Sequence, residues 1–282
     1  MYQTKAPYAF NAYVSPRTRD AVVPGLESMS IMSGDLNYMV RYPNLNVRAS
    51  VFYTEINDQT WARSFYHDEY RTFVNYMMTG VDHLHMGTEI GVDYNLLSMF
   101  NIQAAFTTGQ YLFNSRPTAT ITRDNSNELI DEDKTVYLQN YKIGGMPQTA
   151  ASLGIKYNSP KYWYAGVNAN FFWDMYLSPN PDRRTEEAID KYVASDPQVS
   201  EILDQTKLDN GYVINAYAGK SWRVKESIIR LNVNVNNVLN TRDFITGGFE
   251  QLRYDSNEIG RFPARFGYMY GTTYFAMLTY LF

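Results

Sequence analysis

The sequence predicts an all-β protein: an antiparallel transmembrane β-barrel, here a partial barrel of about nine strands with long outer loops and short periplasmic turns. Three observations carry this expectation. Apolar and polar residues alternate with a period of two in segment after segment, the connections between segments alternate short and long, and aromatic residues make up 16% of the 282-residue chain, with 25 Tyr and 15 Phe. Alternation by itself is equally the mark of a soluble antiparallel sheet. The aromatic load and the one-sided long loops turn the reading toward a membrane.

Composition removes other classes. No uncharged apolar run reaches the roughly 18 residues that a spanning helix needs, so a helical membrane protein is excluded. The 25 Lys+Arg against 29 Asp+Glu give a formal charge of −4, and no basic stripe offers itself to nucleic acid. The chain has no Cys, which fits an oxidising cell envelope. Met1 is followed by YQTKAPYAFN, which has neither the basic nor the apolar region of a signal peptide.

In order, residues 1–27 read as an outer-loop segment and 28–282 as about nine strands of the C-terminal part of a barrel, with no plug domain. Segments 36–42 and 47–53 flank the short turn YPNLN, and 86–94 and 100–108 flank LLSMF. Next, Ala151, Leu153, Ile155 and Tyr157 alternate with Ser152, Gly154 and Lys156, and NSPKY leads into a strand where Val167, Ala169 and Phe171 oppose Asn168 and Asn170. Segment 212–222 precedes the turn RVKES. The cleanest pattern follows it, with Ile229, Leu231, Val233 and Val235 alternating with Arg230, Asn232, Asn234 and Asn236. The run GTTYFAMLTYLF closes the chain. Hence Ile229, Leu231, Val233, Val235, Val167, Ala169 and Phe171 are expected to face lipid, and Tyr157, Trp163, Trp173, Trp222 and Tyr280 to form interfacial girdles. A strand of about 11 residues tilted near 40° rises about 27 Å, enough to cross the apolar band.

Between the short turns lie four long polar excursions, at 61–80, 114–147, 177–210 and 240–267. The third is rich in helix formers, with Asp196 and Pro197 as a break and cap between two short helices and Ala188, Ile189, Tyr192 and Val193 as a narrow apolar stripe. It is expected to fold over the barrel mouth. His83 and His85, two apart on one strand face, have chelating spacing, but no third ligand is evident from the sequence. HDEY at His67 to Tyr70 and the acidic run from Asp124 to Lys134 lack the spacing of a calcium loop. Neither a nucleophile–base pair nor a phosphate cradle stands out, so no enzyme, metal site or cofactor is expected. Two other readings stay open: a small self-contained outer-membrane pore or structural adhesin barrel, and a soluble secreted carbohydrate-binding sheet using Trp61, Phe65, Tyr66 and Tyr70.

NVNNVLNTRDFITGGFEQLRYD, RFPARFGYMYGTTYFAMLTYLF, the segment from MPQTAASLG to DRRTEEAID, and SPRTRDAVVPGLESM together resemble the C-terminal barrel of TonB-dependent outer-membrane receptors of the Bacteroidetes type, which carry a carboxypeptidase-regulatory-like domain. The resemblance implies a location in the outer membrane and a barrel of about 22 strands plugged by an N-terminal domain. It also implies nutrient binding and uptake energised by TonB, through a plug that this chain does not contain. The partners it implies are outer-membrane lipid, the barrel-assembly machinery and, only through the rest of the receptor, TonB and the plug; no nucleic acid is implied, and the ligand is left unidentified. The closing strand is similar to the family's assembly signal, which places Phe282, Tyr280 and Leu278 in that role, with Ala276 and Tyr274 on the same lipid face and Thr279 and Thr273 on the other. Leu281 stands where the family often has Arg.

Overall fold

The computed structural model of the protein describes residues 1–15, 17–97 and 99–282. The turn sequence LLSMF therefore lies partly outside the described residues, at Ser98, as does Pro16 of the SPRTRD segment. The strands are β1 (Tyr2–Lys5), β2 (Met29–Tyr42), β3 (Leu45–His67), β4 (Thr72–Leu96), β5 (Phe100–Phe113), β6 (Thr118–Arg123), β7 (Leu129–Thr135), β8 (Thr149–Ser159), β9 (Trp163–Trp173), β10 (Gly211–Val224), β11 (Ser227–Asn236), β12 (Ile245–Phe249), β13 (Arg265–Tyr268) and β14 (Thr273–Leu281). The main sheet runs in the order β1-β2-β3-β4-β5-β8-β9-β10-β11-β14, with every neighbouring pair antiparallel. Its long strands are the ones the alternation predicts. β1 and β14 are its two edges, and no ladder joins them among the described residues.

Three of the four long connections are not the irregular excursions the sequence suggests. Residues 61–80 continue β3 and β4 as a hairpin that pairs from Trp61–Met78 to His67–Thr72. The register slips between Ile56 and Trp61, and this bulge interrupts the period of two, which is why the extension reads as a loop. Within 114–147, β6 lies along the extended β4 from Val74–Arg123 to Thr79–Thr118 and pairs with β7. Within 240–267, β12 and β13 form a separate hairpin.

The third excursion holds one α-helix, α1 (Pro197–Leu203), rather than two. Asp196 does cap it, its carboxylate accepting from the Gln198 N–H at 2.9 Å. Residues 185–193 form turns instead, held by tertiary bonds such as Tyr192 Oη donating to the Ser256 carbonyl at 2.7 Å. A stretch this short gains too little from helix propagation to outweigh them. The expected apolar stripe is consequently split, with Ala188 buried and Val193 exposed.

Segment 1–27 is more than a loop. Met29 to Met32 pair with β1, and Val14 and Val23 bury against Ala62 and Met77 of the β3–β4 extension. On the other side of that extension Phe65, Val74, Tyr76, Met78, Ala119, Ile121, Val136 and Leu138 form the main core cluster. The hydrophobic core thus lies at the long-connection end, and the sheet below it is a single layer.

Candidate functional site

The registers sort the sheet into two faces, because directly paired residues share a face. Val47 and Val51 of β3, Ile90 and Val92 of β4, Ala104 and Phe106 of β5 and Leu153 and Ile155 of β8 fall into one set of rows. The rows continue through Val167, Ala169 and Phe171 of β9, Ile214 and Ala216 of β10, Val233 and Val235 of β11, and Ala276 and Tyr274 of β14. Of the residues assigned from alternation to the lipid side, Ile229, Leu231, Tyr280 and Leu278 join this apolar face through Ile229–Tyr280 and Leu231–Leu278, while Phe282 lies one residue beyond the β14 ladder. It is uncovered: Leu36 is 77% exposed, Leu153 56% and Leu278 72%.

Aromatic rings collect at both ends of that face. Near the short turns, Tyr157 lies 5.1 Å from Phe100 and 5.1 Å from Trp163. Near the long connections, Phe171 stacks on Trp173 at 5.8 Å and approaches Tyr212 at 6.2 Å. On β9 the two groups are set by Trp163 and Trp173 at the strand's ends. That spacing is about 33 Å along a strand and about 25 Å in height at the usual tilt.

The opposite face is polar. Gln103 Nε2 donates to Asp93 at 2.9 Å, Arg48 Nη2 to Asn37 Oδ1 at 2.7 Å, and Tyr164 Oη to Asn232 Oδ1 at 2.7 Å. Two glycines make room for rings here. A Cβ on Gly166 would lie 2.4 Å from the Tyr217 ring, and one on Gly219 would lie 2.5 Å from the Tyr164 ring, so each tyrosine lies flat over the glycine paired with it.

The long connections fold over this polar face. Trp61, Met78, His83 and Phe113 of the sheet and Pro181, Phe249 and Leu252 of the loops line a cavity of about 560 Å3 between them. The loops are locked by a buried ion pair. Arg184, fully buried, makes a two-pronged contact with Glu250, Nη2 to Oε1 at 2.8 Å and Nη1 to Oε2, while its guanidinium stacks 5.0 Å from the Tyr141 ring. Glu250 also accepts the Asn180 N–H at 2.9 Å, and Asn180 Nδ2 donates to the Gln251 carbonyl at 2.7 Å. Arg253 grips Asp68 at the tip of the β3–β4 hairpin with Nε and Nη2 at 3.0 and 2.7 Å.

Above these contacts lies a polar cavity of about 490 Å3, lined among others by Tyr66, His67, Lys134, Asp182, Glu187 and Tyr254. Lys134 sits 3.5 Å from Glu187, 3.8 Å from Asp131 and 4.0 Å from Asp182. His67 stacks on Tyr70 at 4.2 Å, with Nε2 3.2 Å from Asp182 Oδ2. Burial, reinforced by Asp131, raises the Tyr70 hydroxyl's pKa above the usual tyrosine range, and burial raises that of Tyr254 against the opposing pull of Arg183. Hydrogen bonds from the Asn257 N–H and then Arg261 hold Asp255 below the usual carboxylate range. The carboxylates of Asp68, Glu69, Asp182, Glu187 and Asp255 outnumber the cations Arg71, Lys134 and Arg261 in this lining, so the cleft offers more acceptors than charged donors.

The residues singled out in the sequence fare unequally. His83 and His85 do share the polar face, with rings 6.0 Å apart, packed edge-on against Phe113 and Tyr111. No group of three His, Cys, Asp or Glu residues placed to hold a metal occurs among the described residues. Of the four aromatics considered for sugar stacking, Phe65 is buried in the core, Trp61 and Tyr70 pack against it, and Tyr66 alone of the four lines the polar cavity. The acidic run 124–134 is partly strand β7, with Lys134 buried. Arg184, Asn180, Asp182 and Lys134 escape sequence reasoning, because beside short-range contacts such as Lys134 with Asp131 each depends on a partner tens of residues away: Glu250 for Arg184 and Asn180, His67 for Asp182, and Asp182 for Lys134.

No protein-family model matches the sequence, and no curated protein matches it at a significant level. Solved structures do match its fold. They include the siderophore receptor PiuA from Acinetobacter baumannii (14% identity, TM-score 0.56, covering 99% of this chain and 33% of that one) and the copper transporter OprC (14%, 0.55, covering 99% and 35%). A third is the ferripyoverdine receptor of the outer membrane of Pseudomonas aeruginosa (13%, 0.50, covering 99% and 30%). The chain thus has the fold of about a third of each of these barrels.

Proposed function

We propose that the chain is the C-terminal barrel segment of a TonB-dependent outer-membrane receptor that binds and takes up a nutrient, of the Bacteroidetes type that its sequence resembles, and that it is not an enzyme. The single observation that carries this is the two-faced wall: one uncovered apolar face bounded by two aromatic belts, and one polar face roofed by ordered loops. In water such an apolar face recruits other chains; in a bilayer it meets lipid. The lumen is then the polar face, and the loop cavities are the place where ligand is met from outside. Likeness of fold to a siderophore receptor and a copper transporter supports the uptake role.

The edges support the segment reading. β1 pairs only with Met29–Met32 of β2, so the long remainder of β2, through Tyr42, keeps a free edge. A strand continuing β1 backward would run along it. At the other edge, Leu278 and Tyr280 of β14, with Phe282 just beyond it and its ring 6.1 Å from that of Tyr280, form the row that the assembly machinery would read.

Orientation follows from the short turns, which are assigned to the periplasm. With cysteine placed at Asn125 or at Lys225 in the receptor that carries this chain, a membrane-impermeant maleimide applied to intact cells is expected to label position 125 and spare 225. Equal labelling would contradict the orientation.

A further inference from the structure

The turns joining β8 to β9 and β10 to β11 lie side by side. The Ser221 N–H donates to the Tyr162 carbonyl at 2.9 Å, and Lys220 Nζ donates to the Lys161 carbonyl at 2.6 Å. These turns and the end of β10 carry Lys161, Lys220, Arg223 and Lys225, against one side-chain carboxylate, Glu226. None of the four cations forms an ion pair among the described residues, and Arg223 Nε donates only to the Lys225 carbonyl, at 3.2 Å. The other end of the wall has the opposite character: residues 177–210 hold eight Asp+Glu against four Lys+Arg.

Lys220 stands on the apolar face, directly opposite Trp163. Trp222 and Tyr280 follow on the same face, 42% and 58% exposed, and Tyr162 projects from the turn at 79%. A lysine in a row of interfacial rings keeps its stem on apolar surface and its ammonium at headgroup level. We propose that this two-turn platform binds the phosphate of an anionic phospholipid in the adjoining leaflet, an inference that rests on the membrane reading above. Continuity with the apolar wall selects lipid over a soluble anion: an occupant whose phosphate meets Lys161, Lys220 and Lys225 and whose acyl chains lie along Leu231 and Val233 satisfies both halves of the surface, and a soluble anion satisfies one.

The test is native mass spectrometry of the intact receptor polypeptide in neutral detergent, titrated with phosphatidylglycerol or with zwitterionic phosphatidylethanolamine. Phosphatidylglycerol is expected to bind on the order of 100-fold more tightly. Combining Lys161→Gln, Lys220→Gln and Lys225→Gln is expected to weaken it on the order of 100-fold, at about fivefold per lysine, with phosphatidylethanolamine unchanged. The corresponding triple Arg variant keeps the preference. Equal affinity for the two lipids, a preference surviving in the triple Gln variant, or displacement of the lipid by inorganic phosphate would overturn the inference. A polypeptide that binds neither lipid and enters no bilayer would instead overturn the membrane reading, and the inference with it.

Discussion

Residues 1–282, secreted by themselves, are expected to yield aggregates or oligomers rather than a compact monomeric barrel. β2 and β14 both run toward the short-turn end, so direct closure of the nine long strands would need a parallel seam, and β1, at four residues, is too short to supply an antiparallel one. Left open, each edge of about nine residues presents about nine unpaired N–H and C=O groups. In hydrocarbon these cost several kcal/mol apiece, so the total is on the order of tens of kcal/mol. A typical domain has a net stability of about 5 to 15 kcal/mol. A heat-modifiability gel on the secreted chain, followed by single-channel recording, measures this. A compact monomeric band with steady conductance would refute the segment reading in favour of a small self-contained pore.

Arg184→Met, with Glu250 retained, is expected to undock loop 177–210 at a cost of about 3 to 5 kcal/mol. The substitution leaves a carboxylate that is 3% exposed without its bidentate partner, and it removes the cation stacked on Tyr141. The loss comes from stranding a buried charge, so Arg184→Met combined with Glu250→Leu should recover most of it. Hydrogen exchange in α1 and limited proteolysis between residues 185 and 196 read the loop directly. Protection equal to that of the parent in the single variant would mean that the pair does not hold the loops together.

These two expectations mark where the sequence is legible. The nine long strands and their faces follow from side chains that alternate every two residues, information held within each strand. Val233 opposite Ala276, or Ala169 opposite Leu153, needs only that alternation and a short turn to fix it. The loops are organised differently. Arg184 and Glu250 are 66 positions apart, and Arg253 and Asp68 are 185 apart, so nothing in the neighbourhood of either residue announces its partner. The β3–β4 extension was hidden for a third reason, the bulge that shifts the phase of alternation between Ile56 and Trp61. Helix-forming composition misled at 185–193, where tertiary hydrogen bonds outweigh propensity.

The central claim is that one face of this wall meets lipid and the other a water-filled or protein-filled lumen. Single cysteines at Leu231, Asn232, Val233, Asn234 and Val235, introduced in turn into the receptor in native outer membranes, test it most directly when each is labelled with an environment-sensitive fluorophore. The account predicts a strict alternation, with blue-shifted emission quenched by lipid-borne quenchers at 231, 233 and 235, and red-shifted emission insensitive to them at 232 and 234. A uniform response along β11, or the opposite phase, would contradict it.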